Sequence, residues 1–156
     1  MKLVTYLKEG HDQLALLIEG RLYDSDALHP DLPISMAMFL NYWDDMYPLA
    51  TAAEKRIKEG LGRTVSSQSF EAAEIIAPVP HASSLRDAMS FSKHAELLAK
   101  NRKDAYMSLF HQYPVFFFGN HNSIQGPGDI ICMPDHFEKL DFELEAAVVI
   151  CRHCRN

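Results

Sequence analysis

Between Lys139 and Cys151 the chain reads KLDFELEAAVVIC, with apolar residues on alternate positions. In an extended chain successive side chains point to opposite sides. Leu140, Phe142, Leu144, Ala146, Val148 and Ile150 would therefore share one face. The other face starts with Asp141, Glu143 and Glu145, then turns apolar at Ala147, Val149 and Cys151. This pattern predicts a strand that begins with acids at a sheet rim and ends buried on both faces. Such a strand is normally covered by further elements. The chain ends at Asn156, so the expectation is that it represents about half of a longer protein.

The same patterning organises the rest. LVTYL, LALLIEG and RLYD within residues 2–24 read as short strands, with Gly10 and Gly20 at the turns. HPDLPI is a proline-punctuated connector. Ser35 is placed to cap a helix through MAMFLNYWDDMYPLA, where Met36, Phe39, Leu40 and Trp43 recur at helical spacing. Pro48 is expected to interrupt or kink it. TAAEKRIKEG reads as a second helix closed by Gly60. After the polar loop GRTVSSQS, FEAAEIIAPVP (70–80) predicts a strand running into a proline-rich exit. A lobe boundary is expected around 72–82, separating an N-terminal lobe (1–75) from a second domain (76–156). There, SSLRDAMSFSKHAELLAKNRK reads as loop then helix, PVFFFGN as a strand, NSIQGPGDI as a turn-rich loop and DIICMP as a short strand. The expected class is α+β, mostly β.

Composition narrows the function. Hydrophobic content of 47% and charged content of 23% are ordinary for a globular protein. A formal net charge of −6, with Lys and Arg scattered, argues against nucleic acid and anionic membranes as partners. No apolar run is long enough to span a bilayer. The N-terminal segment lacks the pattern of a signal peptide, and three cysteines do not suggest a disulfide framework. A reducing, cytoplasmic setting is expected.

Four constellations could carry chemistry. Glu143 and Glu145 would lie roughly 6.5–7 Å apart along one strand face. Crowded carboxylates stay in water, share a proton or hold a cation. Oxygen-only ligands suit Mg²⁺, Ca²⁺ or Mn²⁺ rather than zinc. A solvated strand end explains the same letters. In RDAMSFSKHAE, Asp87 could anchor a metal and His94 could take a proton from water. A helix-capping Asp and a surface His fit equally well. FFFGNHNSIQGPGD presents Asn120, His121 and Asn122 but lacks phosphate-loop spacing, and a structural turn accounts for it. CRHC (151–154) has the spacing of a zinc or redox pair, yet Cys132 offers no further ligand pair at zinc spacing.

Taken in order, RDAMSFSKH, YPVFFFGNHNSIQGPGDI and LDFELEAAVVI resemble the fumarylacetoacetate hydrolase family, from about Pro78 to Cys151. Residues 1 to about 75 are similar, less closely, to its small variable N-terminal lobe. The resemblance implies that 76–156 begins an FAH-type mixed β-roll catalytic domain. It implies a metal set of Asp87, Glu143 and Glu145, with His94 as general base on a water. The ion would be Mg²⁺ or Ca²⁺, and the substrate a 1,3-diketo acid cleaved at a carbon–carbon bond. Arg102, or Lys103 beside it, falls where the family places an arginine for a substrate carboxylate; both residues also fit as surface charges. Asp87 together with His94 points to the hydrolase branch, and a homodimer is expected, for which Phe116 to Phe118 offer an aromatic surface. The family takes a further metal-binding aspartate from a segment beyond Asn156. Three alternatives stay open. One is a non-catalytic fragment or interaction module with exposed apolar faces at Val148 to Cys151. Another is a metal-dependent decarboxylase or hydratase of the same superfamily. The third is a small zinc or redox protein built on CRHC.

Overall fold

A computed structural model describes residues 1–62, 64–100, 106–130 and 140–155. The chain divides into two compact units, one formed by Met1–Pro80 with Gln125–Asn156 and the other by His81–Ile124.

The first unit is built on an antiparallel meander of β1 (Leu3–Lys8), β2 (His11–Ile18) and β3 (Arg21–Asp24). Both connections are two-residue hairpins. Lys8 pairs with His11 around Glu9-Gly10, and Ile18 pairs with Arg21 around Glu19-Gly20. All four turn residues have positive φ, at 51°, 80°, 50° and 77°. That is the type I′ pattern, whose twist matches the flanking strands, and it explains why glycine recurs second in each turn. Short strands β4 (Gln68–Ser69) and β5 (Glu74–Ile75) complete a sheet of order β4-β3-β2-β1-β5. Of the strand expected over 70–80, only β5 pairs as a strand, preceded by a 3₁₀ turn at Phe70–Ala72.

β2 is buried on both faces. Leu14, Leu16 and Ile18 pack with Leu32, Met36, Phe39 and Ala50. On the opposite face Ala15 packs with Tyr6 and Leu22, covered by Phe70 and Ile75. Beyond α1 (Ser25–Leu28), Ser35 caps α2 (Met36–Asn41) by accepting from the Met38 N–H. The chain breaks at Tyr42 and continues as α3 (Trp43–Lys58). Pro48 sits inside α3 rather than ending it, and the two helices expected here are rearranged into α2 and a longer α3. Trp43, Met46, Ala50, Ala53 and Ile57 recur every three or four residues, and the sheet-facing stripe they form outweighs one lost backbone hydrogen bond. Exposed Pro48 lies off that stripe. Gly60 follows with φ of 76°, as expected for a helix stop.

In the second unit, β6 (Leu85–Ala88) pairs antiparallel with β7 (Phe116–Gly119). Between them run α4 (Ser92–Ala99) and α5 (Tyr106–Gln112). LRDA is thus strand where the sequence suggested loop: it finds its ladder in the aromatic strand, a partner distant in sequence. Asn120 folds back on the next turn, accepting from the Asn122 N–H at 3.1 Å and donating to Ser123 Oγ at 2.6 Å. The structural-turn explanation of Asn120 holds.

The strand expected over 140–151 is corrected. Residues 140–155 carry no helix or strand. Phe142, Leu144 and Val148 are 83%, 91% and 83% exposed, so neither face is buried. Alternation says which side chains a strand could hide. Hiding them requires a neighbouring strand to take the backbone hydrogen bonds and a layer to cover the face, and no described strand pairs with this segment. The strand expected at DIICMP falls largely outside the described residues.

Candidate functional site

Asp87 stands in the middle of β6, directly across from Phe117. The strand alternates: Leu85 and Asp87 are half-buried, Arg86 and Ala88 exposed. Arg86 lays its guanidinium 4.0 Å from the centre of the Phe118 ring and 5.9 Å from that of Phe116, an attraction between a cation and the negative ring face. Its charge is thereby held on the face opposite Asp87. Asp87 does not cap a helix: α4 begins five residues later, behind Phe91, with no side-chain cap. His94 lies in the first turn of α4, exposed, next to Ala95, which is completely buried.

Glu143 and Glu145 lie in the segment without regular structure, both exposed, each with a carboxylate oxygen within 4.8 Å of the other's. Among the described residues, neither forms an ion pair with a lysine or arginine. The donor set fits a hard cation. An ion held about 2.0–2.6 Å from each of two oxygens spans a gap of about 4–5 Å, and such ions take oxygen ligands. The two glutamates are thus brought together, although not by the strand that suggested them. Asp141 is used locally, accepting from the Phe142 N–H at 2.9 Å. Arg102 and Lys103 lie outside the described residues.

Cys151 is half-buried and Cys154 exposed, and both are free thiols. The Cys154 thiol donates to the Arg152 carbonyl at 3.4 Å. Arg152 in turn grips Asp44 of α3, with Nε 2.9 Å from Oδ1 and an NH2 group on the same oxygen. This pairing holds the guanidinium above its ordinary pKa.

The sequence did not single out a polar cluster at an open cavity of about 310 Å³, lined by Tyr6, Lys8, Asp24 and Gln68 among others. The Tyr6 phenol donates to Asp24 Oδ1 at 2.6 Å, and Lys8 Nζ donates to Oδ2 at 2.5 Å. Burial, reinforced by the Asp24 carboxylate, pushes the Tyr6 pKa well above its usual range. The Asp24 hydrogen bond also raises that of Lys8. A Tyr and Lys two apart on β1 were a visible signal, but Asp24 reaches them only through the meander.

None of the described helices is long and apolar enough to cross a membrane. A comparison with curated proteins finds no match. A comparison with protein families matches residues 84–156 to the fumarylacetoacetate (FAA) hydrolase C-terminal family. The matched stretch contains Asp87, His94, Arg102, Glu143 and Glu145. The match supports a member of a metal-dependent hydrolase and decarboxylase superfamily. Residues 84–156 of this chain therefore belong to the fumarylacetoacetate hydrolase family.

Proposed function

We propose that this protein belongs to a divalent-metal-dependent hydrolase that cleaves a carbon–carbon bond in a 1,3-diketo acid, and that residues 76–156 begin an FAH-type β-roll. What supports this most is the pair Glu143 and Glu145, side by side and, among the described residues, without a lysine or arginine partner, inside the stretch that matches the family. Asp87, Glu143 and Glu145 would hold the ion, Mg²⁺ or Ca²⁺. When bound, that ion supplies Lewis-acid polarisation of a ketone and compensates the enolate that leaves. His94 takes a proton from water, whose oxygen then adds to the ketone carbon. The bond to the carbon between the two carbonyls breaks, its electron pair becomes the enolate of the leaving ketone, and the proton on His94 returns to that carbon. Arg102 would orient the substrate carboxylate through paired N–H donors. The substrate is a small molecule, and the assembly a homodimer acting in the cytoplasm.

The test is Mg²⁺ and Ca²⁺ binding by calorimetry, alongside hydrolysis of an acylpyruvate, in the wild type, Glu143→Gln and His94→Asn. Glu143→Gln should weaken ion binding at least about tenfold, since even a group that only supports a metal ligand is worth that much. His94→Asn should leave ion binding intact and lower kcat about 10²–10⁴-fold, the span of general base catalysis. Ion affinity unchanged in Glu143→Gln would remove the metal site and the mechanism with it.

A second reading, a non-catalytic interaction module, is favoured by one observation: Phe142, Leu144, Val148 and Ile150 are exposed. It predicts that ions bind weakly or not at all and that no diketo acid is turned over.

A further inference from the structure

We propose that Cys151 and Cys154 form a reversible dithiol–disulfide couple, closed by exchange with a low-molecular-weight disulfide of the glutathione type. Both sulfurs are reduced. The chain bends at Arg152, and the Cys154 thiol reaches back to the carbonyl of that residue. Two residues between the cysteines leave room for a disulfide, whose Cα atoms lie about 4.4–6.8 Å apart, once the chain curves back between them. Arg152 is gripped by Asp44, which ties the middle of the motif to α3. Closing the ring therefore orders little chain that is not already held. Arg155 directly follows Cys154 in the chain, a positive charge that favours the approach of an anionic peptide disulfide.

Two other uses of the motif fit less well. A structural zinc takes four ligands, and among the described residues no cluster of three or more His, Cys, Asp or Glu donors includes these sulfurs. A catalyst of thiol exchange places its CxxC at a helix N-terminus, and residues 151–155 carry no helix. What is left is a couple that alters this chain itself. The exposed Cys154 thiolate attacks one sulfur of the glutathione disulfide. That S–S bond breaks, and one glutathione thiolate leaves and takes a proton from solvent. The Cys151 thiolate then attacks Cys154 in the mixed disulfide, forming the protein S–S bond and expelling the second glutathione. The protein loses two electrons and two protons, and the two glutathiones take them up. The closed ring stiffens the segment just downstream of Glu143 and Glu145.

The test is incubation in glutathione buffers of graded redox ratio, then acid quench, maleimide labelling and intact mass, in a Cys132→Ser background. With both Cys151 and Cys154 present, both thiols should be lost, the mass should fall by two hydrogens and no glutathione should be retained. Cys151→Ser should trap a glutathione on Cys154. Cys154→Ser should react several-fold more slowly, because Cys151 is half-buried. Peptide mapping of residues 151–154 in the unaltered chain gives the same answer without relying on any variant. Persistent glutathionylation with both cysteines present would overturn the couple. So would thiols that stay reactive throughout, or an EDTA-resistant zinc that blocks oxidation.

Discussion

Single side chains in the first unit are held by a few directed bonds, and their contributions depend on pH in a definite sense. The Tyr6 phenol is buried and donates to Asp24, so its pKa in the folded chain lies above that of the unfolded chain. A raised pKa adds stability that is fully present below the unfolded value, about 10, and is lost as pH rises through the folded one. Lys8 acts in the same direction through the same carboxylate. Tyr6→Phe should cost about 1 kcal/mol at neutral pH, one net hydrogen bond. Its stability should also decline less steeply above about pH 10, as followed by urea unfolding across pH. Gly126 tests a different constraint. A Cβ there would meet the Ile76 Cα at 2.5 Å and the Ile75 carbonyl oxygen at 2.6 Å, both backbone atoms. Gly126→Ala should destabilise the chain by about 1–3 kcal/mol through overpacking, read as a lower Tm. The turn-rich GPGD stretch was legible as a turn and residues 70–80 as a strand, but the close approach of Gly126 to Ile75 and Ile76 was not, because it joins residues about fifty apart in sequence.

Whole elements obey local rules where their partners are close in sequence. The two hairpins and the Ser35 cap formed as the patterns indicated, since each is decided within a few residues. Helix α3 ignored the usual effect of proline, because its apolar stripe packs on the core beside β2. Phe39 is the anchor of that layer: it is fully buried and meets the Trp43 ring edge-on at 5.8 Å. Phe39→Ala should cost about 3–5 kcal/mol, measured as a shift in denaturant midpoint at constant slope. LRDA became a strand because FFFG pairs with it, and that pairing places Asp87 half-buried mid-strand. The glutamates were recognisable as neighbours at a spacing of two, and they are neighbours in space. The strand expected to present them did not form, and none of the described strands pairs with that segment.

At the scale of the molecule, ion binding and stability are linked. An ion that binds only the folded chain adds about 1.4 kcal/mol at ten times its dissociation constant. Mg²⁺ or Ca²⁺ should therefore raise the Tm reversibly, EDTA should cancel the rise, and Asp87→Asn or Glu143→Gln should abolish most of it. Differential scanning calorimetry with and without chelator checks this. The sequence by itself determined the α+β class, the N-terminal meander with its turns, and the family of residues 84–156. Alternation, turn chemistry and motif order are properties of neighbouring residues, and they survive whatever the chain later packs against. Tertiary structure alone decided that α3 runs through its proline, that Asp87 lies on a strand paired with Phe117, and that Asp24 gathers Tyr6 and Lys8. It also left the apolar face of residues 140–150 in solvent. Each of these outcomes rests on a hydrogen-bonding edge or a covering layer supplied from a distant part of the chain, and no local pattern records whether one is present.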